Sequence, residues 1–142
     1  MRISTKGRYG LRAMVDVAVN SNGKPVSIKS IAARQNISEA YLEQVFSILK
    51  KAGFLKAERG AYGGFKIIRP LDKITAGEII RSLEGQIETV NCSGCSNQEF
   101  NEKKEISCAT YPFWNELNIL INNYMDNITL KTLIDNNLSS GL

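Results

Sequence analysis

The order of elements predicted for residues 27–68 is the feature that most constrains how this chain can fold. Ser27 and Ser38 are good N-cap residues, and each precedes a short segment with apolar residues at helical spacing. Two strands, 54–57 and 65–68, follow, and the span between them contains three glycines, which permit a tight hairpin. Two short helices joined by a tight turn and followed directly by a hairpin predict a winged helix-turn-helix.

Further helices are predicted around this unit, so the expected fold class is mainly α with one small β-hairpin. Thr75 and Glu78 form the pattern of a capping box at the start of a helix that ends near Gly85. Pro112 suits the first turn of a long helix over 112–126. The remaining predictions are a first helix over 7–20, a short last helix after Thr129, and a loose tail from Asn136 to Leu142.

The net charge of +4 is unevenly distributed along the chain. Residues 1–84 contain 15 Lys and Arg against 7 Asp and Glu, whereas residues 85–142 contain 3 against 7. A basic first part is expected of a protein that binds a polyanion, although a solvated basic surface has the same composition. The chain has no apolar run long enough to span a bilayer and opens on charged residues, which favours a cytoplasmic protein.

The second helix of the predicted helix-turn-helix would present its outer face to the major groove of DNA. Ala40, Glu43, Gln44 and Ser47 lie opposite its apolar stripe, with Tyr41 beside them. Gln44 can pair with an adenine edge, Glu43 can accept from cytosine N4, and Ala40 can touch a thymine methyl group. Tyr41 and Ser47 can reach phosphate or sugar. A face that is merely solvated would carry similar residues, so this alternative stays open.

Arg59 lies among glycines at the predicted tip of the hairpin. A slim hairpin can enter the minor groove, where a narrow A·T tract attracts arginine. Phosphate contacts, which add salt-dependent affinity but little specificity, are expected from Lys6, Arg8, Arg12 and Lys29. The candidate DNA contacts are Lys6, Arg8, Lys29, Ser38, Ala40, Tyr41, Glu43, Gln44, Ser47, Arg59, Gly60 and Tyr62.

The long predicted helix carries two neighbouring apolar stripes. The first has the spacing of a coiled coil and consists of Phe113, Leu117, Leu120 and Tyr124, and the second consists of Trp114, Ile121 and Met125. One stripe can pack on its own domain, and the other needs another partner, for which a second subunit is the simplest choice. We therefore expect a homodimer. The predicted interface residues are Phe113, Trp114, Leu117, Leu120, Ile121 and Tyr124.

Cys92, Cys95 and Cys108 lie in the polar segment before the long helix. Three cysteines in a reducing compartment argue against a disulfide scaffold and favour a metal or redox role, with three ordinary loop cysteines as the simpler alternative. The chain has no histidine, so three cysteines leave a zinc site one ligand short. Because the commonest acid–base residue is absent and no phosphate-cradling glycine motif occurs, we expect no enzymatic activity.

These features divide the sequence into three parts. Residues 1–84 are predicted to be a winged helix-turn-helix DNA-binding domain, and residues 85–110 a cysteine-containing sensor loop. Residues 111–142 are predicted to form the dimerisation helix and a short C-terminal helix. Ordering of the loop around a metal centre would reposition the two DNA-reading units, whose separation must match the duplex.

Four stretches spread over nearly the whole chain match one known pattern: Met1–Gly10, Tyr41–Gln44, Arg59–Phe65 and Asn127–Leu130. Together they resemble the Rrf-type family of bacterial transcriptional regulators. The resemblance implies a homodimeric winged-helix repressor whose long helix crosses its mate, with Glu43, Gln44 and Arg59 serving DNA recognition. Ala40 stands where a related member has a serine, so the operator preference is expected to differ.

The resemblance is strongest to IscR-like members, which hold a [2Fe–2S] cluster with three cysteines and a histidine. Cys92, Cys95 and Cys108 are similar to the three cysteines, but Tyr111 stands at the histidine position. The fourth ligand would then be Tyr111, a loop carboxylate, a partner-subunit group or solvent. Two alternatives stay open: a cluster-free CymR-like repressor controlled by a partner protein or metabolite, and a winged helix that binds an acidic protein and no DNA.

Overall fold

A computed structural model describes residues 2–90 and 109–139, and the predicted cysteine ligands Cys92, Cys95 and Cys108 lie outside the described residues. The helices and strands are α1 (Thr5–Asn20), α2 (Ile28–Gln35), α3 (Glu39–Lys51), β1 (Leu55–Glu58), β2 (Gly64–Ile67), a 3-10 turn (Leu71–Lys73), α4 (Ala76–Glu84), α5 (Tyr111–Asn127) and α6 (Leu130–Ser139). The strands form one antiparallel hairpin, which confirms the predicted fold class. None of the helices in the described ranges is long and apolar enough to cross a membrane.

Helices α1 to α4 begin where the sequence supplies side chains that accept hydrogen bonds from free backbone N–H groups. Ser27 Oγ accepts from Ser30 N at 3.2 Å, and Ser38 Oγ accepts from Tyr41 N at 3.2 Å. The predicted capping box at the start of α4 is also present. Helix α1 begins two residues earlier than predicted, because Ser4 caps it.

The hairpin strands are each displaced by one residue from the predicted ranges, and the end of α3 explains the first displacement. Gly53, at φ +87, donates its N–H to the carbonyl of Lys50 at 3.1 Å. Phe54 donates to the carbonyl of Leu49 at 3.1 Å. These two bonds are a Schellman closure, so Phe54 still belongs to the helix end and β1 starts at Leu55.

The prediction of a loose tail from Asn136 was wrong as far as Ser139, because α6 continues to that residue. Leu130 is fully buried in the same core as residues of α1, α3 and α4, and Leu133 packs against this core. The connection before α6 is also tied to the start of α4: Ala76 N donates to Ile128 O at 2.7 Å. Burial of the first turn of α6 thus stabilises a helix that a short polar sequence alone would not favour.

Candidate nucleic-acid interface

Helix α3 buries one face and leaves the opposite face in solvent. Its buried residues are Leu42, Val45, Phe46 and Leu49, which pack into the core. The residues predicted to read DNA bases, Ala40, Glu43, Gln44 and Ser47, are all exposed. The structure therefore brings these four side chains together on one accessible helix surface.

A tight turn over residues 36–38 sets the direction of this helix. Asn36 has a left-handed backbone with φ +54, and it ends α2. Ile37 is buried, and its N–H donates to the carbonyl of Ala32 at 3.2 Å. Ser38 then caps α3. The turn is fixed at every residue, so the angle between α2 and α3 is well defined.

The hairpin of β1 and β2 is the wing, and contacts on two sides hold its base in place. Phe65 N donates to Val26 O at 2.8 Å, and Val26 N donates to Phe65 O at 2.9 Å, which joins β2 to the segment before α2. The ring of Phe65 also packs edge-on against Phe46 of α3, with centroids 5.0 Å apart. Because one β-branched residue gives no strand signal, sequence reasoning missed the role of Val26.

The tip of the wing presents a cation and an aromatic ring to solvent. Gly60 has φ +116, and its carbonyl accepts from Gly63 N at 3.0 Å, which closes the turn. Arg59 is exposed and Tyr62 is 95 % exposed. A large aromatic side chain on a projecting loop gains no burial within this chain, so its surroundings favour a role in binding.

The start of α1 presents Lys6 and Arg8 to solvent and is held in place by Glu84 of α4. The Glu84 carboxylate accepts from Ser4 N at 3.0 Å and from Gly7 N at 2.9 Å, and it also accepts from the Ser4 hydroxyl. A carboxylate suits a helix N-terminus, where free N–H groups carry partial positive charge. Sequence reasoning missed this contact because its partners lie 77 to 80 residues apart.

The protonation of Glu84 is linked to stability. Burial alone would raise the pKa of Glu84, but hydrogen bonds from Ser4 and Gly7, together with the charge of Lys6, lower the pKa below its ordinary value. A carboxyl group whose pKa is lower in the folded state stabilises the fold above the unfolded-state pKa. That contribution is lost as the pH falls through the folded-state pKa.

We therefore expect Glu84→Gln to lower the free energy of unfolding at neutral pH, because glutamine offers a weaker acceptor to the start of α1. The difference from the unmodified protein should shrink as the pH falls through the pKa of Glu84 in the folded state. Urea unfolding at a series of pH values measures this. Glu88→Gln, which removes an exposed carboxylate, is the control and should show no such change. A difference for Glu84→Gln that is constant with pH would contradict the linkage.

Helix α5 is attached to α4 through a fork of hydrogen bonds from Arg81. Its guanidinium donates to Asn122 Oδ1 at 3.0 Å and also pairs with Asp126. The amide of Asn122 in turn donates to the carbonyl of Ile87 at 3.2 Å. Ile80, Ile87 and Met125 form a small buried cluster on the same side, with Ile121 packed against it.

On the other side of α5, several large apolar side chains remain exposed in the part of the chain that the structure describes. Phe113 and Leu120 are each 59 % exposed, and Tyr124 is 69 % exposed. Trp114 is 37 % exposed, its ring packs edge-on against Phe113, and Leu117 is half-buried. Of the predicted interface residues, Ile121 thus packs within the chain, and the coiled-coil stripe remains open. Its pairing with a second subunit stays a prediction.

Within residues 2–90 and 109–139, no group of three or more Cys, Asp or Glu side chains is arranged to hold a metal ion. Tyr111, the residue at the predicted fourth ligand position, begins α5 and is half-buried.

This protein belongs to the winged helix-turn-helix class. It has an exposed face on α3, a wing attached to the core at its base, and basic residues around both. A family model described as "Rrf2: Iron-dependent Transcriptional regulator" matches residues 3–136. The chain therefore belongs to the Rrf2 family of DNA-binding transcriptional regulators, which confirms the resemblance seen in its sequence.

Individual relatives match over nearly the full length. The HTH-type transcriptional regulator IscR of Escherichia coli is 37% identical over 136 residues, which cover 96% of this chain and 82% of IscR. CymR, the global cysteine regulator of B. subtilis, is 41% identical with a TM-score of 0.80, covering 95% of this chain and 97% of CymR. IscR of T. potens is 36% identical with a TM-score of 0.78, covering 100% and 92%. The relatives are transcriptional regulators and not enzymes, as expected for this chain.

Proposed function

We propose that this protein is a homodimeric, sequence-specific repressor that acts in the cytoplasm, with α3 in the major groove and the wing in the minor groove. The observation that carries this proposal is the exposed face of α3, beside a wing whose base is fastened to α3. In this arrangement the base of the wing that carries Arg59 has a set position relative to α3. A preformed surface loses little conformational entropy when it binds DNA.

Each exposed side chain has a distinct task in this proposal. Gln44 pairs with an adenine edge, Glu43 accepts from cytosine, and Ala40 contacts a thymine methyl group. Ser38 caps α3, and the other contacts go to the DNA backbone or the minor groove. Those contacts come from Lys6, Arg8, Lys29, Tyr41, Ser47, Arg59, Gly60 and Tyr62.

Selection of duplexes from a random pool with the purified protein tests the proposal and requires no assumption about the operator sequence. We expect a two-fold related sequence to be enriched, because each subunit of a symmetric dimer reads one half-site. The logarithm of the association constant for the selected duplex should fall linearly with the logarithm of the salt concentration. Each phosphate contact should add about 0.9 to the steepness of that slope. Equal affinity for the selected and the random duplexes would contradict sequence-specific function.

Arg59→Ala is expected to weaken binding to the selected duplex by about tenfold or more, and binding to random duplexes much less, because the minor groove of the selected site is shaped to receive arginine. Fluorescence anisotropy at fixed salt measures both affinities. Lys6→Ala is the matched control, since loss of a phosphate contact should weaken both duplexes alike. Equal losses for Arg59→Ala on the two duplexes would show that Arg59 only contributes charge.

We also propose that Cys92, Cys95 and Cys108 are thiolate ligands of an iron–sulfur cluster. Thiolates are the usual protein ligands of such clusters, and the sequence supplies three of them. The donor set fits three ligand positions, and the fourth cannot be histidine because the chain has none. A bound cluster would supply a redox- and iron-sensitive group at the segment that leads into α5. The proposal is supported by the iron-dependent description of the family.

The second candidate is a cluster-free repressor that responds to a partner protein or metabolite. It is supported by the similarity to CymR of B. subtilis, which is 41% identical to this chain, compared with 36% for IscR of T. potens. Anaerobic purification followed by iron and sulfide analysis separates the two. A cluster predicts coloured protein with equal iron and sulfide, and loss of the charge-transfer absorption in Cys92→Ala. Colourless, iron-free protein after anaerobic reconstitution supports the cluster-free repressor.

A further inference from the structure

The guanidinium of Arg12 is held between the end of α2 and an aromatic ring of α1. Its Nη2 donates to the carbonyl of Gln35 at 2.9 Å, and its Nε donates to Gln35 Oε1 at 3.3 Å. Its Cζ lies 5.4 Å from the ring centroid of Tyr9. Gln35 is the last residue of α2, where carbonyls lack partners within the helix and attract a cation.

Tyr9 contacts both Arg12 and a residue of α3. Its ring meets the ring of Tyr41 edge-on, with centroids 5.9 Å apart and an interplanar angle of 86°. Tyr41 lies in the first turn of α3. Tyr9 and Arg12 are one helical turn apart on α1, so their side chains are neighbours. Arg12 contacts Gln35, the last residue before the 36–38 turn, and Tyr9 contacts the first turn of α3 after it.

A buried carboxylate on the next turn of α1 fixes Gln35 for this contact. Asp16 is 4% exposed, and it accepts from Gln35 Nε2 at 2.8 Å. It also forms an ion pair with Arg34 at 2.7 Å. The Gln35 amide therefore donates to Asp16 and accepts from Arg12, which leaves it one orientation. A charge buried this deeply is stable only when its oxygens are hydrogen-bonded, so Asp16 favours this position of the Gln35 side chain.

We propose that Arg12 is a positioning residue for DNA recognition and does not contact a phosphate. It holds the end of α2 and, through Tyr9, the start of α3, and so sets the angle at which Glu43 and Gln44 enter the major groove. The planar fork of arginine can bond the Gln35 carbonyl and amide oxygens while it stacks on Tyr9, which a lysine cannot do. The proposal rests on the proposed DNA-binding function.

The first test compares Arg12→Lys and Arg12→Gln with Arg8→Gln, a proposed phosphate contact on the same helix. Arg12→Lys keeps the charge, yet it should weaken binding to the selected duplex about tenfold. Its binding to random duplexes and the salt dependence should be unchanged, and Arg12→Gln should show the same specific loss. Arg8→Gln should weaken both duplexes alike and reduce the salt slope by about 1.8, which is about 0.9 for each of the two Arg8 residues in the dimer. An unaltered ratio of the two affinities in Arg12→Lys overturns the proposal.

The second test needs no DNA. Hydrogen exchange of the amides in residues 36–44 should accelerate in Arg12→Lys, whereas exchange in α4 should not change and Arg8→Gln should alter neither. Unchanged exchange in residues 36–44 would overturn the positioning role. If the unmodified protein selected no duplex, the proposed function would fail, and the exchange result would still decide whether Arg12 holds the turn.

Discussion

Leu120→Glu is expected to convert the protein into a monomer and to weaken its binding to the selected duplex about 100-fold or more. Leu120 belongs to the exposed apolar stripe of α5 and is itself 59 % exposed, so a charge there costs little within one chain. Between two subunits the same charge would be buried without a partner, which is strongly unfavourable. Loss of the second subunit removes the gain from binding two half-sites together, which is worth about 10²–10⁴ in affinity.

Asn115→Glu is the matched control for this change. Asn115 is exposed on the same helix, and at about 100° per residue it lies on the side of α5 opposite the stripe. The same added charge should leave a dimer and leave DNA affinity intact. Sedimentation at micromolar concentration measures the assembly, and circular dichroism checks that both variants are folded. A Leu120→Glu protein that remains dimeric, or equal dissociation by Asn115→Glu, would show that α5 does not pair through this stripe.

The parts of the fold that sequence reasoning predicted well are those governed by neighbours along the chain. Ser27, Ser38 and Thr75 cap the helices they are expected to cap, because a cap uses N–H groups within three residues. The exposed face of α3 follows from the same kind of local rule, since a helix with one apolar stripe must leave its other side in solvent. The side chains that α3 leaves in solvent can therefore be named from the order of amino acids alone.

The parts that sequence reasoning missed depend on contacts between distant residues. Val26 has no strand neighbours in sequence, yet it joins the wing through Phe65. Glu84 looks like an ordinary last residue of a helix, yet it holds the start of α1. Arg12 hydrogen-bonds Gln35 of α2, which lies 23 residues away, and its position in the sequence gives no sign of this partner. A single polar residue gives no periodic signal, so its partner is known only when the chain is folded.

Gly64 is the position in the wing where a side chain is least tolerable. Its φ is +157, and a Cβ there would lie against the backbone carbonyl of Val26 and 2.8 Å from Ser27 N. Backbone atoms that are already bonded to β2 cannot move aside as a flexible side chain would. Gly64→Ala should therefore break the pairing of Val26 with Phe65 and lower the free energy of unfolding by about 2–4 kcal/mol.

Gly60→Ala is the control variant, because it measures the cost of backbone strain without such a collision. Gly60 also has positive φ, at +116, but a Cβ there would meet nothing within 4 Å. The expected loss in the free energy of unfolding is only about 1 kcal/mol. Gly64→Ala, measured at a temperature where it is still folded, should also lose about tenfold in affinity for the selected duplex, because Arg59 depends on the wing base for its position. Similar losses of stability in the two variants would mean that the wing base tolerates a side chain at Gly64. An unchanged affinity of Gly64→Ala for the selected duplex would mean that the pairing of Val26 with Phe65 does not set the position of Arg59.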